Sequence, residues 1–386
     1  GCGSLRLAYT QKDLDWFYYV KGILNNVGCS AEIVSTQEIP KIHPFIQLDG
    51  IIGGLHTPED GHTDPTSTTN AMAKGARNSG AEIYRHNRVT NIKQLPTDEW
   101  ELVTEKGNII CEHVVNAAGS FCPEVGLMVG LKNIPSINMI HHYLVTDEHP
   151  EIKKLGKELP VVRDPHSSCY LRQEGKGLLI GIYEKNAKCW ALDGMDWKFD
   201  MELLEPDLDR LEEHLKKGMD RIPQFRDVGI KRIICGPITH TPDGNFLAGP
   251  APGLRNFWMF CAASVGIAQG GGAGKYMAQW MTYGDADINM LEFDPRRYLS
   301  WTHKDYSVAK CTDEYKRMYV TPLPNESLEV GRPIKTTSIY KKLQDQGAMY
   351  IDAFGWERPK WFAKYGIQEE YSFKRSNAFP YVQKEC

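Results

Sequence analysis

The stretch HVVNAAGSF, His113 to Phe121, decides how the rest of the chain is read. A polar residue, an apolar pair and then Asn116-Ala117-Ala118-Gly119 predict a buried strand that stops at a tight turn. Small residues at such a turn let backbone approach a ligand closely. In open α/β sheets, strand ends of this kind hold dinucleotides. A glycine loop for the pyrophosphate is then expected elsewhere, and two stretches imitate one without succeeding. GCGSLR has Arg6 where a third glycine should stand, and a strand rather than a helix follows it. QGGGAGKY would need glycine in place of Gln269 and Ser or Thr in place of Tyr276 to cradle a nucleotide phosphate. Its glycines fit better at the start of a helix, where unpaired N–H groups and the positive dipole end favour anionic character.

Composition narrows the classes. With 386 residues, 41% hydrophobic and 24% charged, the chain can bury one large core or two ordinary ones. A formal net charge of -4 and the lack of any Lys/Arg-rich run argue against nucleic acid as a partner. No apolar run approaches the roughly 18 residues that span a bilayer, so no membrane partner is expected. The 10 cysteines form no CxxC pair and no Cys/His spacing suited to zinc, so no metal site is expected and reduced, buried thiols are. The chain opens at Gly1 without an initiator Met, a basic region or an apolar leader.

Three textures follow one another. The first predicts an amphipathic helix over Gln11 to Gly28, a short strand in AEIVS, and a helix from Pro65 to about Gly80 capped by Asp64. Strands at Ala81 to Tyr84, Val89 to Ile92 and Trp100 to Thr104 then lead into one at Asn108 to Ala118. The second, from Asn138 to about Ile230, predicts a mostly antiparallel sheet with a hairpin at EGKG and a covering helix in EPDLDRLEEHLKKGMDRIP. The third returns to strand, glycine turn and helix. From about Phe293 periodicity weakens and a linker or a new domain is expected.

The segments GSLRLA, EDGHTDP, VVNAAGSF, HHYLVT, ELPVVRD, CYLRQEGKGLLIGIYE, GPITHTPDGNFLAGP, GIAQGGGAGKYMAQWM and WERPKWF occur in this order. Together they resemble the dimethylglycine and sarcosine dehydrogenase family of flavoproteins over nearly the whole chain. The resemblance implies an α/β (α+β) fold: an FAD-binding α/β domain of the D-amino-acid and sarcosine oxidase type, with an antiparallel substrate sheet and a C-terminal linker. The implied FAD-binding domain covers 1–135 and 230–292, the substrate domain 136–229 and a central linker domain 293–345. Residues 346–386 would begin a folate-binding, aminomethyltransferase-like domain. The family's glycine loop lies ahead of GSLRLA, so the chain is expected to be a middle section, clipped at both ends.

The resemblance also implies site residues. Val89 matches a backbone contact to adenine, and Ala117, Ala118, Gly119 and Phe121 match the turn against the dinucleotide. Val265, Gly266, Ile267, Ala268, Gln269 and Gly270 match contacts to the isoalloxazine edge. His141 and Tyr170 match an active-site pair that faces the flavin. Spacing alone favours a hydrogen-bonded strand histidine and a sheet-packing tyrosine, and the resemblance reverses that preference; the chemistry also gives the pair a reason. Hydride transfer from an amine needs a free nitrogen lone pair, histidine titrates in the range to take the proton, and tyrosine can hold the amine or carboxylate in line. His62, Arg163 and Arg172 are further substrate-side candidates, though a turn histidine accounts for His62 as well, and a surface salt bridge is the more common fate of either arginine.

The implied function is FAD-dependent oxidative N-demethylation of dimethylglycine or sarcosine, with the methyl carbon released as formaldehyde or passed to tetrahydrofolate. An electron-transfer flavoprotein or similar acceptor would take the electrons, in the cytoplasm of a bacterium or the mitochondrial matrix of a eukaryote. The alternative is a non-catalytic regulator like the pyruvate dehydrogenase phosphatase regulatory subunit, which resembles the same family.

Overall fold

The computed structural model describes residues 1–363 and 366–386. Its opening segment owes its form to alternation. In β1 (Ser4–Ala8), Leu5 and Leu7 point to one face and are fully buried, and Ser4, Arg6 and Ala8 point to the other. Helix α1 (Gln11–Asn26) starts at a capping box in which Thr10 and Asp13 satisfy each other's free donors. Strand β2 (Glu32–Val34), the one-turn α2 (Ile39–Ile42) and β3 (Gly53–Thr57) follow. Helix α3 (Pro65–Asn78) begins as the sequence predicts, with Asp64 accepting from the Ser67 N–H.

Strands β4 (Val89–Gln94), β5 (Trp100–Thr104) and β6 (Gly107–Cys111) form an antiparallel meander. The segment Ala81–Tyr84 is not a strand: it is exposed and pairs with no strand among the described residues. Nor is Asn108–Ala118 one strand. It breaks at Glu112-His113, because β6 pairs with β5 while β7 (Val114–Asn116) pairs in a different sheet. After β7 come α4 (Cys122–Met128), β8 (Ile137–Thr146), α5 (Pro150–Lys153), β9 (Val161–Asp164), β10 (Cys169–Glu174), β11 (Gly177–Ile182) and β12 (Cys189–Trp190). Then follow α6 (Glu212–Arg221), β13 (Ile230–His240), β14 (Leu247–Pro250), β15 (Phe257–Cys261) and α7 (Gly266–Tyr283). The C-terminal part holds α8 (Lys304–Lys316), α9 (Tyr340–Asp345), the hairpin of β16 (Ala348–Ala353) and β17 (Trp356–Phe362), and α10 (Phe379–Glu385).

One sheet of nine strands dominates, in the order β12-β8-β11-β10-β9-β1-β3-β2, with β13 paired to β8. The texture boundaries near residues 135 and 230 cut across it, since β1 to β3 and β13 hydrogen-bond into the same sheet as β8 to β12. The physical reason is that β1 runs parallel to β9 and carries its buried Leu5 and Leu7 into one core with Leu144, Val162, Leu171, Leu178, Ile180 and Ile182. Each such side chain stabilises the fold by roughly 1.5–3 kcal/mol when fully buried. Helix α6 and Phe225 close this face.

The opposite face is organised by register. Arg6 lies beside Arg163, Arg163 beside Tyr170, Tyr170 beside Gly181, and Gly181 beside Tyr143. Cross-strand neighbours share a face, so these residues form one row, and His141 stands two positions from Tyr143 on the same side of β8. Helix α8, in the region expected to be a linker, packs here with Cys311 and Tyr315 fully buried against β8 and β13. All ten cysteines are unpaired, and no described helix is long and apolar enough to cross a membrane.

His43, just after α2, is 1% exposed and burial pushes its ring down to about 4. Its unfolded value lies near 6.5, so the unfolded chain takes up the proton first as pH falls. The stability it contributes is present above pH 6.5 and is lost as pH falls toward 4. At pH 5 the loss is about 2 kcal/mol relative to neutrality. Urea unfolding between pH 7.5 and 5 should therefore show a smaller drop for His43→Leu than for the parent; an unchanged drop refutes the assignment.

Candidate functional site

His141 is held from both ring nitrogens. Its Nε2 lies 3.2 Å from the Tyr170 hydroxyl and its Nδ1 lies 3.0 Å from the Tyr315 hydroxyl. Tyr170 reaches it because the opposing residue on β11 is Gly181, where a Cβ would stand 1.9 Å from a carbon of the Tyr170 ring. The ring of Tyr183 tilts against the imidazole at 4.6 Å between centroids. Behind Tyr315 sits Glu184, wholly buried, whose Oε2 accepts from the Tyr315 hydroxyl at 2.7 Å. Its Oε1 lies 3.3 Å from Nη1 of Arg210, an ion pair whose orientation falls short of a hydrogen bond.

These surroundings set the charges. Burial, with smaller contributions from His142 and His240, pushes His141 down to about 3. The neutral imidazole is therefore the form present at physiological pH, and a histidine titrating near neutrality, as the residue type alone suggests, is not what the fold produces. Burial pushes Glu184 upward, and the Tyr315 hydrogen bond and Arg210 oppose it. We assign it the carboxylate form, because a neutral Glu184 would leave the buried Arg210 guanidinium poorly compensated.

The dinucleotide side is built on a parallel pair. Val114 of β7 lies opposite Phe257 of β15, and Asn116 opposite Met259. The turn after β7 and the run from β15 into α7 therefore leave the sheet side by side, at the carboxyl edge where α/β sheets bind ligands. Asn116 ties that turn, donating from Nδ2 to the Cys122 carbonyl at 2.9 Å and accepting from the Ala118 N–H at 3.2 Å. Gly119 has a φ of +55°, in the left-handed region. Val89, Ala117, Ala118 and Phe121 line one cavity of about 500 Å³ with Arg88 and Trp197, and the Phe121 and Trp197 rings stack at 5.1 Å. Val265 to Gly270 do not line this cavity but start α7 beside it. No side chain caps that helix, and a Cβ on Gly270 would meet nothing within 4 Å.

The residues present thus fit part of a dinucleotide: small turn residues, a planar aromatic wall and uncapped helix donors. Among the described residues no strand pairs with the second edge of β7. β7 is thus a parallel strand at an edge, with Val115 39% exposed.

The other candidates separate. Arg163 stays on the row beside Tyr170, with Nη1 3.3 Å from Asp60 Oδ2. Arg172 is engaged by Glu174 at 2.5 Å and by the Gln173 carbonyl. His62 lies on the surface, with Nε2 2.6 Å from Glu158. Sequence reading missed Gly181, Tyr183, Glu184, Arg210 and Tyr315. Strand alternation in GLLIGIYE signals that Gly181 and Tyr183 share a face. Nothing local signals Tyr315, which is 174 residues from His141.

Comparisons with known proteins agree with this architecture. Residues 1–280 match the model of the FAD dependent oxidoreductase family, and residues 283–337 that of the FAD dependent oxidoreductase central domain. The chain is 39% identical to mitochondrial dimethylglycine dehydrogenase of Rattus norvegicus, over 99% of its own length and 45% of the relative's. It is 30% identical to mitochondrial sarcosine dehydrogenase of Mus musculus, over 100% of its own length and 45% of the relative's. It thus spans about half the length of these curated relatives. Among solved structures it is similar to L-proline dehydrogenase from P. horikoshii, with a TM-score of 0.65 and 25% identity over 76% of each chain.

The close approach at Gly181 yields a test of the pair's geometry. Gly181→Ala should displace the Tyr170 ring and lower stability by about 1–3 kcal/mol, as overpacking does. That cost should largely vanish in a Tyr170→Ser background, measured as a double-mutant cycle by urea unfolding. Additive costs would show that Tyr170 does not lie over Gly181.

Proposed function

The chain belongs to the FAD dependent oxidoreductase family, and from that premise we propose that it carries out oxidative N-demethylation of an N-methylated glycine, dimethylglycine or sarcosine. The observation that carries the reading is the His141–Tyr170 pair, hydrogen-bonded on the face of the large sheet opposite its leucine core. The similarity to dimethylglycine and sarcosine dehydrogenases supports the substrate class.

Val89, Ala117, Ala118, Gly119 and Phe121 would hold the adenine side of FAD, and Val265 to Gly270 the edge of its ring system. FAD bound there would supply the two-electron acceptor for a hydride leaving the N-methyl carbon. The protein's part is to bind the amine in line. Tyr170, fixed by His141, can accept from the N–H of the arriving ammonium form, which must lose that proton before hydride leaves, and Arg163 on the neighbouring strand offers a cation to the substrate carboxylate. Because His141 is neutral down to about pH 3, the pH dependence of the reaction follows deprotonation of the amine rather than of the histidine. The rate should rise with pH until the substrate nitrogen is free.

The iminium left behind adds water and releases formaldehyde and the demethylated amine, or is captured by tetrahydrofolate in the full-length protein. In this reading 1–135 with 230–292 serve FAD, apart from β1 to β3 and β13, which join the sheet of 136–229 on the substrate side; 293–345 is the central linker and 346–386 begins the folate-binding part. An electron-transfer flavoprotein or similar acceptor reoxidises the enzyme. Both of these relatives are mitochondrial enzymes, which supports the matrix for a eukaryotic source, the cytoplasm serving a bacterial one.

The full-length protein should show flavin absorbance that dimethylglycine or sarcosine bleaches without air. His141→Asn and Tyr170→Phe should each slow that bleaching by about 100-fold. A protein that holds FAD yet is bleached by no N-methyl amine would sink the substrate assignment. Capture of a phosphatase catalytic subunit without any amine turnover would favour the regulatory alternative instead.

A further inference from the structure

We infer that Glu184 and Tyr315 are positioning residues that lock the single ring proton of His141 on Nδ1 and keep Nε2 bare toward Tyr170. The inference rests on reading His141 and Tyr170 as the reacting pair, and adds a second layer that sets their state.

The argument is a count of protons. A tyrosine hydroxyl has one hydrogen to donate. The Tyr315 oxygen has four polar neighbours: Glu184 Oε2 at 2.7 Å, the Ile182 carbonyl at 3.2 Å, the Ile140 carbonyl at 3.4 Å and His141 Nδ1 at 3.0 Å. The carboxylate and both carbonyls only accept. The hydrogen therefore goes to one of them, and to Glu184 by distance. The Tyr315 oxygen can then meet His141 only as an acceptor, so Nδ1 carries the hydrogen. A neutral imidazole has no second N–H, so Nε2 presents a lone pair and the Tyr170 hydroxyl, 3.2 Å away, donates to it. The opposite tautomer would set two lone pairs against each other in a site without water access, since Tyr315 is 0% and His141 9% exposed.

Glu184 serves only while it remains an acceptor, and Arg210 secures that. The guanidinium, on a side chain 6% exposed, stands 3.3 Å from Glu184 Oε1 and 3.7 Å from Asp207, which pairs with Lys188 at the surface at 2.7 Å. The other groups around His141 are Tyr170 on β10, Tyr183 beyond β11, His142 on β8, His240 on β13 and Glu314 on α8. Glu314 is bonded to His240, and Arg210 approaches His142 at 3.3 Å. None of them offers Nδ1 a competing partner within hydrogen-bond reach.

The consequence for the reaction is a fixed orientation. With its hydrogen given to Nε2, Tyr170 keeps its oxygen lone pairs for a donor on the substrate side, while His141 stays a neutral imidazole held between Tyr170 and Tyr315.

Neutron diffraction from crystals of the full-length, FAD-loaded protein tests the assignment directly: deuterium is expected on Nδ1 of His141 and none on Nε2, and the reverse would overturn it. Kinetics give an independent reading. Tyr315→Phe should slow flavin reduction by an N-methyl amine at saturating substrate by about 10-fold or more, with substrate affinity within about 2-fold. Glu184→Gln, which keeps an acceptor oxygen for Tyr315, should retain most of the rate that Glu184→Leu loses. A Tyr315→Phe protein with lowered melting temperature but unchanged rate would mean a merely structural role and refute the proposal. If no N-methyl amine reduces the parent protein, the substrate reading fails, and the neutron result still decides the tautomer.

Discussion

The large sheet can exist only if one of its two faces is sealed, and the rest of the molecule follows from which face that is. Leu5 and Leu7, Val162, Leu171, Leu178, Ile180 and Leu144 all fall on the same side of their strands, so a single apolar layer fixes the register of five neighbours at once. A slip of one residue in β1 or β10 would turn leucine outward and an arginine or tyrosine inward. Register, once fixed, also determines the other face. The row of Arg6, Arg163, Tyr170, Gly181 and Tyr143 is assembled by core packing that none of its members takes part in.

That second face keeps polar groups away from water, with Glu184 Oε1 and Arg210 Nη1 meeting only as an ion pair. Helix α8 covers part of it with Tyr315, and the hydroxyl of that residue joins His141 to a buried ion pair. Such a network is costly if incomplete and rigid if complete. The imidazole here is partnered on both sides and desolvated enough to stay neutral. Chemistry that needs a lone pair in one direction gains more from this arrangement than from a histidine poised near neutrality.

Much of the architecture was legible from local pattern. The capping of α3 by Asp64, the helix α1, the hairpin at Gly175-Lys176 and the turn at Asn116 to Gly119 all appear where residue type and spacing place them. The resemblance to the dehydrogenases, read from ordered segments, agrees with the family match over residues 1–280. What misled was texture. Alternation looks the same whichever sheet a strand joins, so β1 to β3 and β13 read as part of the dinucleotide layer although their partners are β9 and β8. Ala81–Tyr84 has strand-like composition but pairs with no strand among the described residues.

The sequence by itself determined most kinds of element, the tight turn at HVVNAAGSF, the family, and the residues proposed to hold a flavin and an amine. Only the tertiary structure decided who stands next to whom. Hydrogen bonds and desolvation act over a few ångströms in space, whereas the chain places His141, Glu184, Arg210 and Tyr315 on four separate segments. Their effect on one another, and with it the charge and proton of the histidine, begins only when the apolar face of the sheet has brought those segments together.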